Sequence, residues 1–458
     1  MYYKIKKLVA RISQTVLNKI GMDGAIFYTS LAKTIAALSG IITIFFIAKF
    51  LSGIEQGFYY TFGSILSIQL FFELGLNGII TQYAAHEFSH LSWDSKTKLS
   101  GSQVHLSRLS SLLHFVVKWY PLIAVALFTI LLIVGVFFFK RFDQSGGSVD
   151  WILPWVILSF STSIAFLINP ILAFMEGLGK VKHIAQIRLI QQLVTAIMIW
   201  TTLIFKAKLY SIGISSIIGL LVVFLLLYFS TYKKLLLHIW KSLGKEVVHY
   251  RKEIFPYQWK IALSWVSGYF IFQLFNPVLF ATSGAIVAGQ MGMTIVVLNG
   301  IFGLSFSWIS TKIPLFSGLI ALKDYVKLDR IFDKTLRQSV FINVLGLSVL
   351  FISIYTLRYF RIPLADRLLP YFPLILMMIP VLLNQFISSW ATYLRCHKEE
   401  PFLIPSIVGA IAMTLSTLIL GNYFGVVGMA MGYCVLTLFV GFFWGLYIFK
   451  TKKREWHE

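Results

Sequence analysis

The chain has 458 residues, of which 58% are hydrophobic and only 13% are charged, and its mean hydropathy is +0.80. A soluble globular domain carries about 25% charged residues, so this composition excludes a soluble fold and indicates a membrane protein. Its apolar segments are long enough to cross about 30 Å of hydrocarbon as helices, and too continuous for the alternating strands of an outer-membrane barrel. We therefore expect an all-α, polytopic membrane protein.

Apolar segments follow one another from the N-terminus to the C-terminus, and we predict twelve spans. Their approximate extents are 26–48, 59–84, 116–139, 151–175, 184–205, 209–229, 259–281, 284–309, 337–357, 368–394, 402–421 and 425–449. A long basic stretch between the sixth and seventh spans divides them into two sets of six. The outer turns at Leu51 and Thr282 are also similar, which favours a duplicated architecture.

This pattern predicts five domains. They are an interfacial amphipathic helix over 1–24, an N-lobe over 25–230, a basic linker over 231–256, a C-lobe over 257–449 and a basic tail over 450–458.

The formal net charge is +22, from 40 Lys and Arg against 18 Asp and Glu. When both termini are placed in the cytoplasm, most basic residues fall in inner segments and few in the short outer loops, as the positive-inside rule requires. The excess charge is then explained by anionic membrane lipids as partners, and we expect no nucleic-acid partner.

A short histidine motif lies at the predicted inner end of the second span. His86, Glu87 and His90 have the H-E-x-x-H spacing of many zinc peptidases, in which two histidines bind zinc and the glutamate activates water. A third ligand in a recognisable position is missing, because Trp93 and Lys96 occupy the places where an extended zinc motif has Gly and His. We interpret the motif as a polar helix end and predict no metal and no cofactor.

The second span carries a carboxylate near the middle of the membrane. Glu73 lies with Gln69 and Asn77 at i, i+4 and i+8, so the three side chains share one face of a helix. A buried charge needs a partner or a watery cavity, and Lys33 in the first span is the nearest candidate. The pair could clamp two helices or form part of a working site, and both interpretations stay open.

Other spans carry polar residues that could converge on a central hydrated cavity, although ordinary interhelical hydrogen bonds would also account for them. They are Arg188, Gln191, Gln192 and Thr195 in the fifth span, Lys260, Gln273 and Asn276 in the seventh, and Asn384, Ser388 and Arg395 in the tenth. The predicted substrate-binding residues are Lys33, Gln69, Glu73, Asn77, Arg188, Lys260, Asn276, Asn384 and Arg395.

Two stretches resemble a known transporter family. Ala48 to Leu76, "AKFLSGIEQGFYYTFGSILSIQLFFELGL", is similar to the Wzx-type flippases of the multidrug/oligosaccharidyl-lipid/polysaccharide (MOP) exporter superfamily. The pattern is carried by Lys49, Leu51, Ser52, Gln56, Gly57, Tyr59 and Glu73 to Leu76. Phe174 to Ile190 resembles the glycine-lysine turn of that family between the fourth and fifth spans.

The resemblance implies two six-helix lobes around a central cavity that opens alternately to each side. It also implies a flippase that moves undecaprenyl-diphosphate-linked oligosaccharide across the bacterial inner membrane for O-antigen, lipopolysaccharide or capsule assembly. A polysaccharide polymerase and chain-length machinery would be its partners. Lys33, with Arg188, Lys260 or Arg395, would receive the anionic diphosphate.

Two other functions remain as alternatives. A cation-coupled exporter of small molecules would use Glu73 as its ion site. A membrane enzyme, either a zinc peptidase or a glycan polymerase, is disfavoured because every outer loop is short.

Overall fold

The computed structural model describes residue 35 and residues 39–457 apart from 96 and 398, and the side chains of 252, 256, 257, 260, 261, 321 and 457 are likewise outside it. The predicted interfacial helix over 1–24 and Lys33 therefore lie outside the described residues. The chain is an all-α, polytopic membrane protein, as predicted. In the described part, eight helical stretches are long and apolar enough to span a membrane, or nine if the broken second span is counted as one.

The first half of the chain contains spans 1 to 6. Their described bounds are Ser39–Phe50 for span 1, Gly53–Leu66, Leu70–Glu73 and Leu76–Phe88 for span 2, Gln103–Phe142 for span 3, Ile152–Met175 for span 4, Val181–Ile204 for span 5 and Tyr210–Tyr228 for span 6. A short helix, Tyr232–Lys241, follows.

The second half contains spans 7 to 12. Their bounds are Phe255–Phe272 and Phe275–Ser283 for span 7, Ala285–Ser310 for span 8, Tyr325–Tyr359 for span 9 and Tyr371–Arg395 for span 10. Spans 11 and 12 are consecutive parts of one stretch, Leu403–Trp456. A short helix, Ile313–Ala321, lies between spans 8 and 9.

Two of the helical stretches are long enough for two crossings each. Ile152–Ile204 has 53 residues and Leu403–Trp456 has 54, whereas about 20 residues cross the hydrocarbon. Each contains a glycine with positive φ, Gly179 at 76° and Gly425 at 56°, a conformation that side chains with a Cβ rarely adopt. Division at these glycines separates span 4 from span 5 and span 11 from span 12.

One β-hairpin interrupts the helices. Leu91–Ser95 and Lys98–Gly101 pair antiparallel, with Leu91 opposite Gly101, just after the end of span 2. Its residues are largely polar and exposed, so the apolar periodicity that predicts the spans contains no trace of it.

Aromatic side chains form much of the core between the two halves. Phe58 of span 2 lies 5.3 Å from Phe139 of span 3 and 4.9 Å from Phe280 of span 7, measured between ring centroids. Phe62 lies 5.2 Å from Trp155 of span 4. This cluster joins helices of both predicted lobes, so the lobes share a packed interface at that end of the bundle.

The basic segment after span 6 packs against span 3. Ser107 donates a hydrogen bond to the carbonyl of Glu246 at 2.6 Å and accepts one from the amide of Gly244 at 2.8 Å. The ring of His114 stacks on Trp240 at 3.6 Å. The predicted linker is thus docked on the N-lobe over much of its length. The predicted tail over 450–458 continues the last helix through His457.

Candidate functional site: two arginine-lined cavities

A cavity of about 610 Å³ lies among spans 1, 2, 5 and 8, and we call it the Arg188 cavity. Four polar residues of span 5 line it because they recur at i, i+3, i+4 and i+7 on one helix face. Tyr59 and Tyr60 of span 2 form another wall. The polar residues contributed by spans 1 and 5 are Ser39, Thr43, Arg188, Gln191, Gln192 and Thr195.

Arg188 is half-exposed to this cavity. Its Nε donates to Oε1 of Glu176 at 3.2 Å, and the terminal nitrogens have no hydrogen bond within the described part of the chain. The guanidinium therefore retains N–H groups that could receive a ligand anion.

Span 2 is broken beside Glu73. Leu74 and Gly75 both have positive φ, 46° and 73°, and the two parts of the span meet at a bend of 40°. Across the break the side-chain amide of Asn77 donates to Glu73 Oε1 at 2.7 Å. Glu73 is half-buried, and Gln69 lies in the short 3-10 turn before it. The predicted Glu73–Lys33 pair stays a prediction, because Lys33 is outside the described residues.

The second half of the chain has a counterpart, which we call the Arg395 cavity. It consists of two adjoining hollows of about 410 and 610 Å³ that share Ser264, Gly268, Phe272 and Arg395. Arg395 makes a bidentate pair with Glu400, at 2.7 Å from Nη2 and 2.8 Å from Nε.

Polar side chains also reach deeper parts of the Arg395 cavity. The amide of Asn384 donates to the hydroxyl of Tyr433 at 3.0 Å, and both residues line the 410 Å³ hollow. Gln273 and Leu70 line the other hollow. Leu70 belongs to span 2, so the C-lobe cavity also touches the span that carries Glu73.

One end of the bundle is closed by contact between spans 2 and 8, and we call it the Gln56 end. The side chain of Gln56 is 1% exposed and donates to the carbonyls of Gly289 at 2.9 Å and Arg367 at 3.1 Å. Arg367 in turn donates to the carbonyl of Leu51 at 2.7 Å. A Cβ on Gly57 would lie 2.0 Å from the carbonyl oxygen of Ala285, so the two helices meet backbone against backbone.

Asn276 contributes to the same interface rather than to either cavity. It is 7% exposed, and its amide donates to Ser64 of span 2 at 3.0 Å. Of the nine predicted substrate-binding residues, Arg188, Asn384 and Arg395 line cavities, and Glu73 lies at the break in span 2. Gln69 and Asn77 flank Glu73 on span 2, and the side chain of Lys260 lies outside the described part.

Gln56, Arg367, Glu176 and Glu400 were missing from the predicted site. Gln56 belongs to the Q-G-x-Y pattern that carries the family resemblance, which was the available clue for it. The other three lie in short polar turns, where spacing along the chain says nothing about which helix they will face.

The histidine motif forms an ion-pair cluster. Glu87 is 1% exposed and binds His105 Nδ1 at 2.7 Å and Arg108 Nε at 2.9 Å, while the ring of His90 stacks on His105 at 3.9 Å. Arg108 also binds Glu253 of the linker at 2.5 Å. Among the described residues no group of three or more His, Cys, Asp or Glu could hold a metal ion.

The electrostatics of this cluster favour the charged form of Glu253. Burial tends to raise the pKa of the Glu253 carboxyl, but hydrogen bonds from Arg108 and from the His249 amide outweigh it and hold that pKa below its ordinary value. Both oxygens of Glu87 have partners. The cluster therefore joins span 2, span 3 and the linker.

Comparison with known proteins supplies the fold. No protein-family model matches the chain, and no curated protein matches it. The chain is similar to the inward-facing conformation of a multidrug resistance MATE family transporter of the MOP superfamily, with a TM-score of 0.59, 14% identity, and 90% of this chain and 99% of that one covered.

It is also similar to the lipid II flippase MurJ in an inward closed conformation, with a TM-score of 0.57, 15% identity and coverage of 93% and 87%. The MATE multidrug transporter DinF-BH is similar with a TM-score of 0.60 and 12% identity, and the match covers 94% of this chain and 95% of that one. The chain has the MATE/MurJ-like transporter fold.

The MATE/MurJ-like fold agrees with the fold that the sequence resemblance implies, and membership of the MOP superfamily stays a prediction. The Wzx-type branch and its substrate are finer claims, and both stay predictions.

Proposed function

We propose that this protein is a flippase that moves undecaprenyl-diphosphate-linked oligosaccharide across the bacterial inner membrane by alternating access, in O-antigen or capsule assembly. The observation that carries the proposal is the Arg188 cavity, in which a half-exposed guanidinium retains unpaired N–H groups. A planar guanidinium binds phosphate oxygens in a bidentate manner, and that geometry suits a diphosphate head group.

The ends of the bundle support an alternating-access cycle. The positive-inside rule assigns the Gln56 end to the periplasm and the turns that carry Glu176 and Glu400 to the cytoplasm. Substrate would then enter from the cytoplasm while the contact between Gln56 and Gly289 keeps the other end closed. Lys33 stays the predicted second cation for the diphosphate.

A cation-coupled exporter is the second candidate. Its support is that Glu176 pairs with Arg188, that Glu73 lies half-buried at the break in span 2, and that the fold is shared with MATE transporters. A cationic substrate would engage these carboxylates instead of the arginine.

Arg188→Ala tests the flippase. We expect export of lipid-linked glycan to fall roughly tenfold or more, since hydrogen bonds to a charged group contribute about 1.5–3 kcal/mol. The assay is the accumulation of lipid-linked glycan on the inner leaflet of cells that carry the variant at normal membrane level. Arg454→Ala, which removes an arginine from the C-terminal helix, is the matched control.

Normal surface glycan in Arg188→Ala cells, with no stranded intermediate, would refute the proposed role of Arg188. Deletion of the gene separates the two functions. A flippase deletion strands lipid-linked glycan, whereas an exporter deletion changes susceptibility to cationic drugs and leaves the glycan unchanged.

A further inference from the structure

Each cavity contains an arginine that is bound by a glutamate from a neighbouring turn. Glu176 begins the turn between spans 4 and 5, and its Oε1 lies 3.2 Å from Arg188 Nε. Glu400 lies in the turn between spans 10 and 11 and binds Arg395 through both carboxylate oxygens. These are corresponding turns in the two sets of six spans.

Both pairs lie far from the closed Gln56 end. Gly177, next to Glu176, packs so tightly against Ala84 near the far end of span 2 that an added Cβ would lie 2.6 Å from the Ala84 Cβ. Arg395 ends span 10, which begins at Tyr371 beside the Gln56 end and runs for 25 residues, or about 37 Å. The two pairs therefore lie toward the end of the bundle that is opposite the Gln56 end.

The exposure of these pairs differs from that of the structural ion pairs. The side chains of Arg188 and Glu176 are 43% and 26% exposed, and those of Arg395 and Glu400 are 51% and 41% exposed. Glu87, by contrast, is 1% exposed and has two partners. An exposed pair contributes little to stability, so another anion can replace its carboxylate at low cost.

Carboxylate and phosphate compete for the same face of a guanidinium, because both present two oxygens that match its fork of N–H donors. We propose that Glu176 and Glu400 are resident counter-ions, which occupy Arg188 and Arg395 in the empty transporter and are displaced by the diphosphate of the substrate. This inference rests on the proposed function and adds a specificity device to it.

A ligand must bind the arginine more strongly than the resident carboxylate does in order to displace it. A diphosphate carries more charge than a single carboxylate and can replace it, whereas a neutral amphiphile or a monocarboxylate gains nothing by doing so. The two glutamates thus select for a phosphorylated head group. Release of Glu176 from Arg188 would also remove one contact of the turn between spans 4 and 5. This turn packs on span 2 through Gly177, and next to it Thr81 of span 2 donates a hydrogen bond to the carbonyl of Ala173 at 3.0 Å.

The test measures binding of farnesyl diphosphate, a short prenyl diphosphate, to the full chain in nanodiscs. Glu176→Gln is made in an Arg395→Ala background, where only the Arg188 site remains, and is compared with Arg395→Ala alone. Glu400→Gln is made in an Arg188→Ala background, where only the Arg395 site remains, and is compared with Arg188→Ala alone. We expect each substitution to tighten binding by roughly two- to fivefold, the strength of an exposed ion pair. Glu455→Gln, which breaks the Lys452–Glu455 pair in the C-terminal helix, is the matched control and should change nothing.

The outcomes separate the two claims. If the wild-type protein binds no diphosphate, or binds it equally well without either arginine, the proposed function itself fails. If binding needs the arginines but is unchanged or weaker in the Gln variants, only the counter-ion proposal fails. Loss of binding of a cationic dye in Glu176→Gln, with no gain for the diphosphate, would identify the glutamate as a cation receptor.

Discussion

At the scale of single residues, Glu87 shows why a motif needs its surroundings. The spacing of His86, Glu87 and His90 suits zinc, but in the fold both oxygens of Glu87 are bound by His105 and Arg108. Those partners come from span 3, 18 and 21 residues further along the chain. The interpretation of the motif as a polar helix end agrees with this location. The ion-pair partners of Glu87 could be identified only from the structure.

Glu87→Ala is expected to lower the free energy of unfolding by about 3 kcal/mol, because it removes a buried carboxylate and leaves the partly buried Arg108 and His105 without its hydrogen bonds. Thermal unfolding of the purified protein in detergent measures the change. Glu455→Ala, which removes an exposed pair, should change stability by no more than about 0.5 kcal/mol. Stoichiometric zinc that is lost in His90→Ala would contradict the ion-pair interpretation.

Residue spacing predicted which polar residues of span 5 share a helix face. Arg188, Gln191, Gln192 and Thr195 lie on one helix face by periodicity, and all four line one cavity. Asn276 is also a polar residue in an apolar span, yet its amide donates a hydrogen bond to Ser64 in the interface between spans 2 and 7. Periodicity states which residues share a face, whereas the neighbour of that face depends on the packing of the whole bundle.

At the scale of elements, the break in span 2 changes the argument from helical spacing. Gln69, Glu73 and Asn77 were placed on one face of an uninterrupted helix, but Leu74 and Gly75 adopt left-handed conformations between them. The hydrogen bond between Asn77 and Glu73 persists across the bend at 2.7 Å. The predicted stripe therefore keeps one of its contacts although the helix is not continuous.

Gly75→Ala tests the break. We expect a loss of about 1 kcal/mol in the free energy of unfolding, because a Cβ disfavours φ near 73°. Gly78→Ala is the control, since Gly78 lies in the helix just beyond the break with open space around its added Cβ, and there alanine should stabilise by up to about 1 kcal/mol. Thermal unfolding of both variants gives the comparison, and equal effects would argue against the left-handed turn.

At the scale of the whole molecule, closure of the Gln56 end depends on glycine. Gly57 and Gly289 let spans 2 and 8 approach so closely that a Cβ on Gly289 would lie 2.9 Å from the Gly57 nitrogen. The Gln56 and Arg367 hydrogen bonds then connect span 2 with span 8 and with the turn before span 10. A transporter that alternates must break these contacts in each cycle.

A disulfide across this end should arrest the cycle. A Cβ on Gly53 would lie 3.7 Å from Cγ1 of Ile286, close enough for cysteines at the two positions to form a disulfide. The test uses Gly53→Cys with Ile286→Cys, after Cys396→Ser and Cys434→Ser remove the free native thiols.

We expect glycan export to stop when the disulfide forms and to return on reduction, measured as surface glycan together with the cross-linked fraction. Each single cysteine variant is a control and should export normally under oxidising conditions. Export that continues in fully cross-linked protein would show that this end stays closed during transport.

The sequence by itself determined the class of this protein, because a chain with twelve predicted apolar segments and few charges is stable only in a membrane. The predicted layout of six plus six spans and the Gln56 pattern also pointed to transporters whose fold the chain shares. The tertiary structure alone decided which arginine meets which glutamate and where spans 2 and 8 touch. Arg188 and Glu176 lie 12 positions apart and Gln56 and Arg367 lie 311 positions apart, and the packing of the helices brings each pair together.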